Sequence, residues 1–283
     1  MDEGVYTIRE HRASDGYCWR YRSYRPEGKA RAHVVCLHGI QSHAGWYGSS
    51  CEQMREAGFA VSFIDRRGSG MNQQDRGDAP SFRRLLDDIA EFLSSASVEW
   101  GERLPVHLLG ISWGGKIAVA FQRRHPGLCH GLVLLAPGIC AKVRPPLSQR
   151  CRILAARLWS PKKAFPIPLN DPALFTAQPR WQQFIRNDPL SLHEASARFL
   201  IESFRLDVYL RFVPRHVHVP VLLLLAEHDR IVDNRRTRRY FERFASREKR
   251  IMEYPGAHHT LEFEPQRERI VGDIIDWLKQ HTS

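Results

Sequence analysis

Along the chain, short apolar runs alternate with longer stretches in which apolar residues recur every three to four positions. These two periods mark buried strands and amphipathic helices. Residues 6–12 and 17–24 flank Ser14-Asp15-Gly16 and predict an antiparallel hairpin. Apolar strands follow at 32–37 and 59–64, separated by a helix over 46–57 that Gly58 stops. Pro80-Ser81 opens a helix expected to reach Trp100, with Leu85, Ile89, Phe92 and Leu93 on one face. Strand 105–109, a helix over 116–124 and strand 131–135 come next. After Gly138 the alternation stops, and the residues to about His216 are rich in proline, arginine and tryptophan without a core-strand pattern. It resumes with strand 219–225, a helix over 234–244, strand 250–254 and a final helix over 261–280. Eight strands alternating with helices imply an α/β fold, a mostly parallel sheet covered on both faces. The interruption implies a helical cap inserted over 139–216, with 1–138 and 217–283 forming the core.

Composition narrows the class. A chain of 283 residues can bury one large core with a smaller insertion. The longest apolar run, 219–226, suits a buried strand and is far too short to span a membrane. Met1-Asp2-Glu3-Gly4 lacks the basic-then-apolar pattern of a secretion signal. The six cysteines form no CxxC pair and no metal-like cluster, so a reducing cytoplasmic setting without a structural metal is expected. The net charge of +11 is unevenly spread. Residues 139–216 hold thirteen Lys and Arg against five Asp and Glu, a net of +8, which leaves +3 for the remainder. Such an excess suits an anionic membrane surface or anionic substrates, unless it is only a bias toward arginine. Nucleic acid fits poorly, because no recognition motif is present and the basic residues interleave with core-like apolar ones.

The chemistry centres on Gly110-Ile111-Ser112-Trp113-Gly114-Gly115, between an apolar strand and a helix. A serine flanked by glycines two positions away, at a strand-to-helix turn, has the pattern of a nucleophile elbow. Side chains at Gly110 or Gly114 would collide with the strand–helix packing, and the turn exposes the hydroxyl at a helix N-terminus that favours negative charge. A serine hydroxyl needs a base and a carboxylate that orients it. Asp229 lies just past strand 219–225; Asp233 competes but is better placed as an N-cap. His258 and His259 share the loop before the last helix, and composition does not separate them. The backbone N–H of Trp113 and that of Ile40, after His38-Gly39, are the candidate oxyanion donors and so the substrate-binding pair. His38 is expected to brace its loop. All these residues follow the carboxyl ends of strands, where ligands bind in open α/β sheets.

The chain resembles an α/β-hydrolase, and within that superfamily the monoacylglycerol lipase and lysophospholipase group. His38-Gly39-Ile40-Gln41-Ser42-His43 is similar to the group's oxyanion loop, and Asp65-x-Arg67-Gly68-x-Gly70 to its D-x-R-G-x-G turn. Gly110–Gly115 is similar to its elbow and Gly256-Ala257-His258-His259 to its G-A-x-H turn. The resemblance implies Ser112 as nucleophile, His259 rather than His258 as base, Asp229 as its partner, and Arg67 as a brace beneath the site. It implies lipid monoesters as substrates and no cofactor or metal. Ile111 and Trp113 depart from the His and Met frequent in the group, and the bulk of Trp113 bears on acyl-site size. An aspartate at position 112 would have indicated a dehalogenase or epoxide hydrolase, and Ser112 excludes both. Thioesterases, peptidases and acyltransferases use the same three residues, whereas non-catalytic relatives usually lose one.

In the inserted segment, 147–159 places Leu147, Cys151, Leu154, Ala155 and Leu158 on one helical face, with Arg150, Arg152 and Arg157 elsewhere. The favoured expectation is that this face packs on the core and the arginines are solvated. The other reading is a lid that leans on a lipid surface. Trp181, Phe184, Phe199 and Phe204 line an acyl pocket or form the cap's own core; both readings stay open.

Overall fold

The computed structural model describes residues 5–99 and 104–282, with no side-chain account of 97–99, so the N-terminal tetrapeptide and Trp100 lie outside the described residues. Eight strands form one sheet: β1 (Thr7–Arg12), β2 (Cys18–Tyr24), β3 (His33–Leu37), β4 (Ala60–Ile64), β5 (Val106–Ile111), β6 (Gly131–Leu135), β9 (Val221–Ala226) and β10 (Lys249–Tyr254). Their order is β1-β2-β4-β3-β5-β6-β9-β10. The hairpin β1–β2 and its junction with β4 are antiparallel. Every pairing from β4 to β10 is parallel. Strands β3, β4, β6 and β9 are buried along their whole length, as apolar strands covered on both faces must be.

Successive strand residues point to opposite faces, and the packing shows it. Cys36 and Phe63 face a space shared with Cys51 and Met54 of α1 (Gly48–Glu56) and Ile270 and Ile274 of α8 (Arg267–Gln280). Their neighbours Leu37 and Ile64 face Leu85 and Ile89 of α2 (Phe82–Glu99) and Ile117 of α3 (Trp113–Arg124). The helix α7 (Asn234–Glu242) starts at Asp233, whose carboxylate accepts from the Arg236 N–H as an N-cap. Two of the boundaries that differ from expectation bear on the site. Strand β5 runs on to Ile111, so that α3 begins immediately after Ser112. The final helix is broken: a short 3-10 turn, Leu261–Phe263, precedes α8. Pro265 disfavours helical backbone at Glu264, which is extended at φ −82, ψ 147.

Residues 139–216 contribute α4 (Leu147–Trp159), the short strands β7 (Ala164–Pro166) and β8 (Glu194–Ser196), α5 (Pro179–Asn187) and α6 (Ala197–Leu210). Helix α4 overturns the expectation that its leucine face packs inward. Leu147, Leu154 and Leu158 are 73%, 60% and 72% exposed, and Trp159 at its end is 79% exposed. It is held instead through Ile153, which packs with Phe165 of β7 and Ala197 of α6. Phe204 is exposed as well, whereas Phe199 is buried. All six cysteines are free. No described helix is long and apolar enough to cross a membrane.

Candidate active site

Because β3, β4, β5, β9 and β10 run parallel, the loops after them gather at one edge of the sheet. The turn at Ser112 is the most constrained of these. Its backbone adopts φ 51, ψ −117, a conformation that non-glycine residues hold only under strain. The surroundings fix it there: Ser112 N–H donates to Leu135 O at 2.9 Å, and Ser112 O accepts from Gly138 N–H at 2.7 Å. A Cβ at Gly110 would lie 2.7 Å from Gly115 Cα, and one at Gly114 would overlap the Leu37 carbonyl. The two glycines let α3 close down on the ends of β5 and β3.

Ser112 Oγ lies 2.9 Å from His259 Nε2, and His259 Nδ1 lies 2.8 Å from Asp229 Oδ2. The other oxygen of Asp229 accepts from the N–H groups of Ile231 and Val232, both at 2.8 Å. Burial alone would raise this carboxyl, but the imidazole of His259 and these hydrogen bonds outweigh it, so Asp229 stays below the usual carboxylate range. The carboxylate selects the tautomer with hydrogen on Nδ1 and leaves Nε2 as the acceptor facing the serine hydroxyl. His258 turns elsewhere: its ring meets that of His228 edge-on at 5.7 Å. The geometry thus separates two histidines that composition left equal.

The N–H groups of Ile40 and Trp113 meet no acceptor among the described residues. The Gly39–Ile40 loop lies against the serine, since a Cβ built on Gly39 would sit 3.4 Å from Ser112 Cβ. His38 is buried and neutral, pushed well below its ordinary value by burial and by the charge of Arg66. Its Nδ1 lies 2.7 Å from Gly39 O and its Nε2 accepts from Arg66 N–H at 3.2 Å, so it braces the loop as expected. The indole of Trp113 turns to α6, where its N–H donates to Ser203 Oγ at 2.9 Å and its ring lies 5.3 Å from Phe199.

Arg67 does not brace these loops. Its guanidinium runs to Asp88 of α2 and to Asp15 of the hairpin turn, and lies over Tyr17. It is Arg66 that reaches them, donating to Gly39 O at 2.8 Å and Ile40 O at 2.6 Å. Sequence reasoning also missed Glu262. It is buried three residues after His259, accepts from the Ser50 N–H and hydroxyl at the start of α1, and is pushed up to about 7 by burial. It ties the histidine turn to α1. Residues 139–216 touch the same edge. Asp188 accepts from His43 at 2.9 Å and from the Trp46 indole at 2.6 Å. Leu192 N–H donates to Gln41 O, and Phe175 O accepts from Thr260 N–H, both at 2.9 Å. Trp181 stacks on Phe263 at 4.5 Å, with Phe184 beside it. No group of three or more His, Cys, Asp or Glu suited to a metal ion occurs among the described residues.

Residues 28–266 match the hydrolase family described as serine aminopeptidase, S33. The chain belongs to that family. It is 27% identical to the monoacylglycerol lipase of Mycolicibacterium smegmatis, with 92% of each chain covered. It is 28% identical to the phospholipase YtpA of Bacillus subtilis, covering 89% of this chain and 95% of that one. Among solved structures, the monoacylglycerol lipase of Paleococcus ferrophilus superimposes with a TM-score of 0.82 at 25% identity, over 92% of this chain and 98% of its own. The architecture is the α/β-hydrolase fold.

Proposed function

We propose that the protein is a serine esterase of lipid monoesters, of the monoacylglycerol or lysophospholipid type. The observation that supports this most is the unbroken path of hydrogen bonds from Ser112 through His259 to Asp229. In this reading Ser112 Oγ attacks the ester carbonyl as His259 Nε2 takes its proton. Asp229 holds the ring and stabilises the imidazolium. The tetrahedral oxyanion lies between the N–H groups of Ile40 and Trp113, which no acceptor among the described residues engages. Collapse expels the alcohol, protonated by His259, and leaves an acyl-enzyme that water cleaves by the same route. The relatives named above support the substrate class. An aminopeptidase reading follows from the family's description, but the charged group beside the elbow, Arg66, is cationic and ill suited to a peptide's terminal ammonium.

Residues 139–216 serve in this reading as a cap over the site. The exposed leucines of α4, flanked by the exposed Arg150 and Arg152, suit a peripheral stay on an anionic membrane from the cytoplasmic side, with acyl chains passing beneath. A panel of esters graded by chain length and headgroup charge, with an aminoacyl p-nitroanilide included, tests the whole. Hydrolysis of monoesters, lowered about 10⁴-fold or more in Ser112→Ala, is expected. Turnover of the anilide alone, or undiminished turnover in Ser112→Ala, contradicts the reading. His259→Ala is expected to be far more damaging than His258→Ala.

A further inference from the structure

The Ile40 N–H belongs to the peptide that joins it to Gly39, and glycine imposes little steric resistance to rotation of that plane. Were the plane to turn over, a carbonyl oxygen would replace the N–H beside Ser112 and repel the negative intermediate. Something must hold it.

The sheet brings the holder into place. Strands β3 and β4 are parallel neighbours with Leu37 opposite Ile64, so the residues just beyond their ends lie side by side. Arg66 uses that position fully. Its backbone N–H donates to His38 Nε2, one guanidinium nitrogen donates to Gly39 O, and the other donates to Ile40 O. With His38 Nδ1, two donors converge on Gly39 O. A trans peptide is planar, with its carbonyl and N–H pointing in opposite directions. Holding Gly39 O on the Arg66 side therefore fixes the Ile40 N–H away from it.

The charge on this group is also unusual. Arg66 is partly buried, lying over the rings of Trp113 at 5.2 Å and Phe199 at 5.4 Å. No carboxylate forms an ion pair with it among the described residues, whereas Arg67 beside it pairs with both Asp15 and Asp88. Burial lowers it to about 9, which leaves it cationic at neutral pH. A guanidinium removed from water with no directly paired carboxylate, offset only through space by Asp65, is costly to keep. A transient oxyanion in the same low-dielectric surroundings gains from a positive charge already fixed in place.

We infer that Arg66 is a positioning residue for the esterase reaction: it clamps the Gly39–Ile40 peptide with its N–H available to the oxyanion, and its charge, not held in a direct ion pair, favours that anion. The inference rests on the esterase reading above. It distinguishes Arg66 from a substrate-binding group, which would act on the ground state, and from a purely structural one, which would act on stability.

The test compares Arg66→Gln and Arg66→Lys with the unaltered protein on p-nitrophenyl butyrate. Inhibition by an alkyl boronic acid, whose serine adduct is tetrahedral and anionic, is measured alongside. Loss of an oxyanion donor elsewhere costs about 10²–10³-fold in kcat. Arg66→Gln is expected to lose kcat on that scale with KM changed less than about threefold, to weaken boronate binding in parallel, and to regain part of its rate with added methylguanidinium. Arg66→Lys keeps the charge and is expected to lose less. If Arg66→Gln does not fold, Arg66→Lys carries the same readouts. Unchanged kcat and boronate binding overturn the inference. So does a rise in KM alone, or a fall in melting temperature that accounts for the lost activity. Absence of turnover in the unaltered protein would instead remove the esterase reading itself.

Discussion

Helices α3 and α4 differ little in length and both carry apolar residues at helical spacing, yet they meet opposite fates. Helix α3 buries ten of its twelve residues, whereas α4 buries only Ile153 of its thirteen. Helix α3 leaves β5 through the Ser112 turn and is pressed between the sheet and α6, so nearly all its sides find partners. Helix α4 stands on β7 and α6 through its less apolar side and turns its leucines to solvent. A pattern of spacing tells which face is apolar; it does not tell whether anything covers that face. In α3 apolar residues build the floor on which the serine is presented. In α4 the leucines lie in solvent, covered by no described residue.

That contrast is breakable. The largest effect is expected at the elbow, where Gly114→Val forces a side chain into the Leu37 carbonyl. A loss of more than about 4 kcal/mol, seen in urea unfolding or as failure to fold, is expected from such an overlap. A variant of near-normal stability would show that the close approach of α3 and β3 is dispensable. Next comes the strand feeding the elbow. Burial, with the nearby charges of His130 and His281, lowers His107 to about 4. As pH falls from 6.5 the unfolded chain takes up this proton and the folded chain does not until about pH 4, so stability is lost across that window. His107→Leu is expected to flatten the loss between pH 7 and 4.5 by about 2 kcal/mol, the slope being the readout. A slope unchanged by the substitution contradicts a buried neutral imidazole there.

The smallest change in stability belongs to α4. Replacing Leu154 and Leu158 together by Gln is expected to alter unfolding free energy by less than about 0.5 kcal/mol, because both are already in water. The same variant is expected to bind anionic phospholipid vesicles about tenfold more weakly in sedimentation, with little effect on a short soluble ester. A stability loss of several kcal/mol would mean that the leucines are packed after all, and the two helices would no longer differ.

Much of this was legible from the residues because the strands are nearly uniform apolar runs and the turns between them carry glycine or proline. The Ser112 elbow was readable for the same reason: its glycines are required by contacts between adjacent elements. Less local features were not. Pro265 broke a helix that the apolar spacing alone carried through. Arg66 went unnoticed beside Arg67 because two arginines in succession look alike until the pairing of β3 with β4 sends one toward the Gly39–Ile40 loop and the other toward α2. The choice between His258 and His259 came from resemblance, and only the fold shows one ring on Asp229 and the other on His228. The exposure of α4 depends on what surrounds it, which no spacing along one helix records.

The proposed hydrolysis depends on Ser112 being made nucleophilic by His259 and Asp229. Reaction with a fluorophosphonate, followed by intact and peptide mass spectrometry, measures this directly. A single adduct is expected on the peptide carrying Ser112, absent in Ser112→Ala and formed about 10³-fold or more slowly in His259→Ala. An adduct on another residue, or labelling of Ser112 at an undiminished rate without the imidazole, would contradict it.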